Sequence, residues 1–277
     1  MPALTPEFVE AEYNARTAVP AHPQFFERWK KASAFARSTL EARLDLAYGS
    51  EALQALDVFP AKDTHGTFVF IHGGYWRSLD KSDFSWLAPG FVAAGIGVVV
   101  VNYRLCPQVQ IDEIVADVLA SMRWLNANGT KQRLATNKVV LGGHSAGGHL
   151  VAEIFTAEDG ERGLPADNIA GGVALSGIFD LKPLLHFSGN ADFDLDMVTA
   201  GLLSPANCSP RLECPLWLGV GGEESGEFRR QSQLLANAWP GVARSPLVLP
   251  GLHHFSIVDA LAERGQPLHE AALKMFA

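Results

Sequence analysis

Strand segments alternating with helical ones predict a doubly wound α/β fold: a mostly parallel sheet of about eight strands with helices on both faces. Two further features point the same way. Several strand segments are apolar on consecutive positions, which suits strands covered on both faces. Residues 111–125 carry apolar side chains at 111, 114, 115, 118, 119, 122 and 125, the spacing of a helix with one buried stripe. At 277 residues the chain can bury a substantial core, and it is read as one domain over 1–277.

Taken in order, residues 1–45 read as helical. Phe25, Phe26, Trp29, Phe35, Ala36 and Leu40 fall roughly on one apolar face, with Lys30, Lys31 and Arg37 elsewhere. Segments 43–47 and 54–59 are expected as edge strands. Then come 67–71 (TFVFI), 97–101 (GVVVV), 138–142 (KVVLG), 172–176 (GVALS), 216–220 (LWLGV) and 246–249 (PLVL). In such sheets, reactive groups sit on loops that follow the carboxyl ends of strands.

Composition narrows the function. Lys plus Arg is 22 against 30 Asp plus Glu, a formal charge of −8. An acidic chain without a basic stripe is a poor nucleic-acid binder. The longest nearly apolar stretch, 87–101, is interrupted by Pro89 and three glycines. It falls short of the roughly 20 apolar residues of a membrane helix, so no membrane partner is expected. Residues 1–13 show no basic region followed by an apolar run. Cys106, Cys208 and Cys214 are too few and scattered for a disulfide framework or a zinc site. A cytoplasmic protein with reduced thiols is expected, acting on a small molecule without metal or cofactor. A homodimer is left open.

Two loops carry the chemistry. Strand 138–142 leads into Gly143-His144-Ser145-Ala146-Gly147. Small residues here allow a sharp strand-to-helix turn that lifts the Ser145 hydroxyl above the sheet, with the Ala146 N–H at the new helix start. Strand 67–71 leads into His72-Gly73-Gly74-Tyr75-Trp76. Adjacent glycines let backbone amides turn toward a developing oxyanion.

A serine hydroxyl needs a base. Of nine histidines, His72 is expected to brace its own loop, His144 to point away from the serine and His149 to pack in the following helix. His22, His65, His186 and His269 are expected at the surface. His253 and His254 follow the last strand at the right end of the sheet. The base needs an acid to fix its tautomer. Glu223, Glu224 and Glu227 follow strand 216–220, and Asp180 is a weaker candidate. Asp259 is expected on the terminal helix.

These segments together resemble the α/β-hydrolase superfamily, and more narrowly its HGGxW branch, which includes kynurenine formamidases (arylformamidases) and related carboxylesterases. The matching segments are HGGYW (72–76), NYRLCP (102–107), GGHSAGGHL (142–150), SGIFDLKPL (176–184), GEESGEF (222–228) and HHFSIVD (253–259). The resemblance implies Ser145 as nucleophile, His254 as base and Glu224 as acid. It puts the oxyanion donors at Gly73, Gly74, Tyr75 and Ala146. The family's acid segment usually reads D-S-P-E-F; here Glu224 stands for Asp and Gly226 for Pro, so the longer side chain needs a slightly retreated loop. Residues 1–45 would form a lid or edge, and Cys106 would pack.

The implied activity is acyl transfer to Ser145, on an aryl formamide of the N-formylkynurenine type or a small ester. Tyr75, Trp76, Trp86, Phe179 and Phe187 are candidates for an aromatic slot, with Trp76 and Phe179 placed at the substrate. A carboxylesterase or thioesterase for small acyl groups is the alternative. A non-catalytic binding module on the same scaffold is the third reading.

Overall fold

The computed structural model describes residues 4–277. Its strands are β1 (Arg43–Ala47), β2 (Ala55–Phe59), β3 (Gly66–Ile71), β4 (Ile96–Val101), β5 (Val139–His144), β6 (Ile169–Leu175), β7 (Leu216–Gly221) and β8 (Leu247–Leu249). They form one eight-stranded sheet in the order β1-β2-β4-β3-β5-β6-β7-β8. β1 and β2 pair antiparallel, as do β2 and β4; every later pairing is parallel.

The central strands show why the sheet must be covered twice. β3 (GTFVFI) and β4 (IGVVVV) are buried at every position. Consecutive side chains point to opposite faces, so both faces need helices. Burying each Val or Ile there contributes about 1.5–3 kcal/mol. The helix α5 (Ile111–Asn128) supplies part of the cover, burying Ile111, Ile114, Val118, Met122 and Leu125. On another helix, α4 (Ala88–Ala93), Phe91 stacks on Phe68 of β3 at 4.1 Å.

The N-terminal segment is helical as expected: α1 (Pro6–Tyr13), α2 (Ala15–Ala18) and α3 (His22–Thr39). α6 (Ala146–Thr156) begins directly after β5. Among the described residues no helix is long and apolar enough to cross a membrane.

Four expectations are corrected. Segment 54–59 is not an edge: β2 lies between β1 and β4 with all five residues buried. Phe35 is 70% exposed, whereas Ser33 is buried beside Trp29 and Ala36. The helix presents Ser33 inward because its hydroxyl accepts the Trp86 N–H at 3.2 Å, which an apolar count does not register. His269 is fully buried, with Nδ1 bonded to the Leu261 carbonyl at 2.9 Å. Strand 138–142 continues to His144, ending one residue before the serine.

Candidate active site

The site begins at the carboxyl end of β5. Ser145 sits at φ 56°, ψ −120°, outside the regions an L-residue prefers, and its N–H bonds to the Leu175 carbonyl at 2.8 Å. The flanking glycines have no room for side chains. A Cβ on Gly143 would meet the Gly147 carbonyl oxygen at 2.1 Å, and one on Gly147 would meet the Ile71 oxygen at 2.0 Å. The turn is therefore clamped between β3, β5 and the first turn of α6.

The loop after β3 packs directly on this turn. A Cβ on Gly73 would lie 2.7 Å from the His144 oxygen and 3.0 Å from the Ser145 Cβ. Gly74 has φ 111°, and Tyr75 and Trp76 are left-handed at 54° and 53°. His72 is buried and braces the loop as expected, with Nδ1 2.7 Å from the Gly73 oxygen and Nε2 2.9 Å from Asn102 Oδ1. The Tyr103 hydroxyl donates to the His72 carbonyl at 2.8 Å. The backbone N–H groups of Gly73, Gly74, Tyr75 and Ala146 have no protein acceptor among the described residues. Unfilled donors of this kind, Ala146 at a helix start and the others in the facing loop, suit an incoming negative charge.

His254 and Glu224 meet from the loops after β8 and β7. The imidazole Nδ1 is 2.7 Å from Glu224 Oε2. The other carboxylate oxygen, Oε1, accepts from the Ser176 hydroxyl at 2.6 Å and from the Gly221 N–H at 2.7 Å. The Glu224 side chain is 1% exposed, so these bonds replace its water. The Phe228 ring lies 4.5 Å from the imidazole. Behind it, His144 Nε2 donates to the His254 carbonyl at 2.7 Å. Burial, and secondarily the neighbouring His254, hold the His144 imidazole well below its ordinary pKa. It is a neutral donor that fixes the backbone of residue 254.

The rival acids are engaged elsewhere. Glu223 is exposed. Glu227 pairs with Arg230 at 2.8 Å and accepts from the Tyr13 hydroxyl at 2.7 Å. Asp180 accepts from its neighbour Lys182 N–H. Asp259 starts a helix and pairs with Arg28 at 2.8 Å. The His253 ring faces the N–H groups of Phe255 and Ser256.

Ser145 and His254 open onto one cavity. Its aromatic walls are Phe26, Trp29, Tyr75, Phe187 and Phe255, and Arg16 and Arg77 also line it. Thus the N-terminal helices α2 and α3 form one wall. Trp76 and Phe179 do not reach it. Trp76 is fully buried, edge-on to His149 at 5.1 Å and to Phe193 at 5.5 Å. Phe179 is buried with its ring over Gly177. Trp86 stacks on Trp29 at 6.2 Å, behind the wall. Their nearness in sequence to the motif loops did not give the direction of their side chains.

Among the described residues no cluster of three or more His, Cys, Asp or Glu side chains is arranged to hold a metal ion. Some contributors were not singled out in the sequence. Ser176 follows β6 at the same sheet edge as the other loops, a placement that gave a signal. Arg16 lies in a helix with no motif, so none existed.

The comparisons with known proteins agree with this architecture. The model of an α/β-hydrolase-fold family matches residues 68–199. Kynurenine formamidase of Salmo salar is 29% identical over 89% of this chain and 86% of its own length. The Danio rerio kynurenine formamidase is 30% identical over 87% of this chain and 84% of its own. A crystal structure of a thioesterase candidate from Silicibacter sp. TM1040 superposes with a TM-score of 0.85 at 32% identity, covering 94% of this chain and 97% of that one. By fold, motif loops and relatives alike, the chain belongs to the α/β-hydrolase superfamily, in the HGGxW branch that includes the kynurenine formamidases.

Proposed function

We propose that the protein is a serine hydrolase acting by acyl transfer, with Ser145 as nucleophile, His254 as general base and Glu224 as the acid that orients it. The observation that carries this reading is the 2.7 Å contact between His254 Nδ1 and Glu224 Oε2 in a dry setting, on a cavity shared with Ser145. Glu224 accepting at Nδ1 leaves Nε2 as the basic nitrogen on the cavity side.

Ser145 Oγ attacks the substrate carbonyl as His254 takes its proton. The amides of Gly73, Gly74, Tyr75 and Ala146 hold the oxyanion. His254 then protonates the departing amine or alcohol, and water attacks the acyl-serine by the same route. None of these steps calls for a metal or an organic cofactor.

An aryl formamide of the N-formylkynurenine type is the favoured substrate. The relatives named for that activity support it, as does a cavity walled by Phe26, Trp29, Tyr75, Phe187 and Phe255. The thioesterase candidate at 32% identity favours a second reading, a small-acyl ester or thioester. Measuring kcat/KM for N-formylkynurenine beside acetyl and butyryl esters and thioesters separates them. A formamide rate at background removes the first. Ser145→Ala should lower kcat on the order of 10⁶-fold, as in comparable triads. Full activity in that variant, or no labelling of Ser145 by a fluorophosphonate, would refute the serine mechanism.

A further inference from the structure

The cavity is charged against the trend of the molecule. The chain carries −8 overall, yet the residues lining the cavity include Arg16 and Arg77 and no Asp or Glu. The two arginines are not equivalent. Arg77 pairs with Asp192 at 2.6 Å. Arg16 has no carboxylate within ion-pair reach among the described residues; its guanidinium donates only to the Ser78 hydroxyl, at 2.7 Å.

Arg16 also sits where a ligand would pass. Its guanidinium carbon lies 5.7 Å from the centre of the Phe26 ring, an aromatic wall of the same cavity. That stacking and the Ser78 bond hold the fork in place without neutralising it. Burial, and secondarily the like charge of Arg77, push its pKa below the ordinary arginine value. Arg16 is itself exposed, so its charge stands open at the cavity to an incoming anion.

We propose that Arg16 is the specificity-determining residue of the cavity, receiving a carboxylate on the aromatic side of the substrate while Ser145 attacks the acyl carbonyl. This rests on the serine-hydrolase reading above and narrows it to substrates that are both aromatic and anionic. It also gives the N-terminal segment a role in selectivity, because Arg16 belongs to α2 and not to any motif loop.

Binding can be read without turnover. Calorimetric titration of 4-phenylbutyrate and of its neutral amide, 4-phenylbutyramide, compares ligands that differ only in the anion. Wild type should bind the acid about 10-fold more tightly than the amide, the scale of a partly solvated charge-assisted bond. Arg16→Gln should bring the two to equal affinity. Arg16→Lys should keep most of the preference, and 0.5 M salt should weaken it. Circular dichroism and the urea midpoint show that each variant is folded. An unchanged preference in folded Arg16→Gln, or none in wild type, overturns the proposal. Failure of the serine mechanism shows separately, as undiminished activity in Ser145→Ala.

Discussion

Ser176→Ala tests how the acid is held. The buried Glu224 carboxylate accepts three hydrogen bonds: His254 Nδ1 at 2.7 Å, Ser176 Oγ at 2.6 Å and Gly221 N at 2.7 Å. Removing the serine hydroxyl deletes one bond to a charged acceptor, worth about 1.5–3 kcal/mol. The space left is the volume of one oxygen, so a well-bonded water is a poor replacement. Backbone strain does not change, because Ser176 sits at φ 48° and alanine bears the same penalty there as serine. Urea unfolding should report a loss of about 1.5–3 kcal/mol. A carboxylate tied by one fewer bond orients the imidazole less well. If half of the loss reaches the transition state, kcat/KM on a chromogenic ester falls about 4–13-fold, at 1.36 kcal/mol per tenfold. In a Glu224→Gln background the same substitution should cost much less, since the charge it serves is gone. A Ser176→Ala protein within about 0.5 kcal/mol of wild type, with unaltered kcat/KM, would refute the claim that this hydroxyl positions the acid.

Gly73→Ala puts a Cβ 2.7 Å from the His144 oxygen. It should displace the oxyanion loop and cost about 10²–10³ in kcat, the scale of one lost donor; an active variant would place the donors elsewhere. Glu224→Gln should lower kcat by orders of magnitude, approaching the ~10⁴ seen when a triad acid is amidated, while exposed Glu223→Gln should leave the rate unchanged. Kinetics in the reverse order would move the acid. His144 is buried and held well below its ordinary 6.5. As pH falls under about 6.5 the unfolded chain protonates at residue 144 and the folded chain does not, so stability drops by up to about 1.4 kcal/mol per unit. Urea midpoints between pH 5 and 7 should show a shallower fall in His144→Gln, and equal slopes would mean that His144 titrates normally when folded.

The fold was legible because the signals were dense. β3 and β4 are six-residue strands, mostly apolar and buried at every position, and no other element type buries so short a segment on both faces. The strand-turn-helix at Ser145 was legible for a related reason: its glycines are fixed by clashes with backbone, which leaves only one residue type. What stayed hidden was direction. Trp76 and Phe179 lie beside motif loops, but whether a ring enters a cavity depends on φ of 53° at residue 76 and on packing against His149 and Phe193. His144 was expected to point away from the serine. Its ring lines the same cavity as Ser145, and its Nε2 bonds the His254 carbonyl, a contact 110 residues away in sequence that no local pattern encodes. The acid shows the same limit. Three glutamates share one loop, and only tertiary packing puts Glu224 under His254 while Arg230 and Tyr13 occupy Glu227.

Tyr13 explains why the N-terminal helices are inseparable from the chemistry. Its backbone carbonyl accepts the Tyr75 hydroxyl at 2.5 Å, tying α1 to the oxyanion loop. Its own hydroxyl donates to Glu227 and accepts from Gln231 at 2.9 Å, tying the same residue to the helix Gly226–Ala238 that follows the acid. One residue earlier, Glu12 receives the Ser225 hydroxyl on its carbonyl at 2.6 Å and the Glu227 N–H on its carboxylate at 3.0 Å. Residues 12 and 13 thus bond to the loops that carry the proposed oxyanion donors and the proposed acid. At about 1 kcal/mol per bond the junction is strong enough to hold, yet small beside the 5–15 kcal/mol of a whole domain. Loosening it should therefore release both loops together, with the core sheet still folded. The N-terminal segment carries no catalytic group in this scheme, but it ties together the loops on which the proposed chemistry depends.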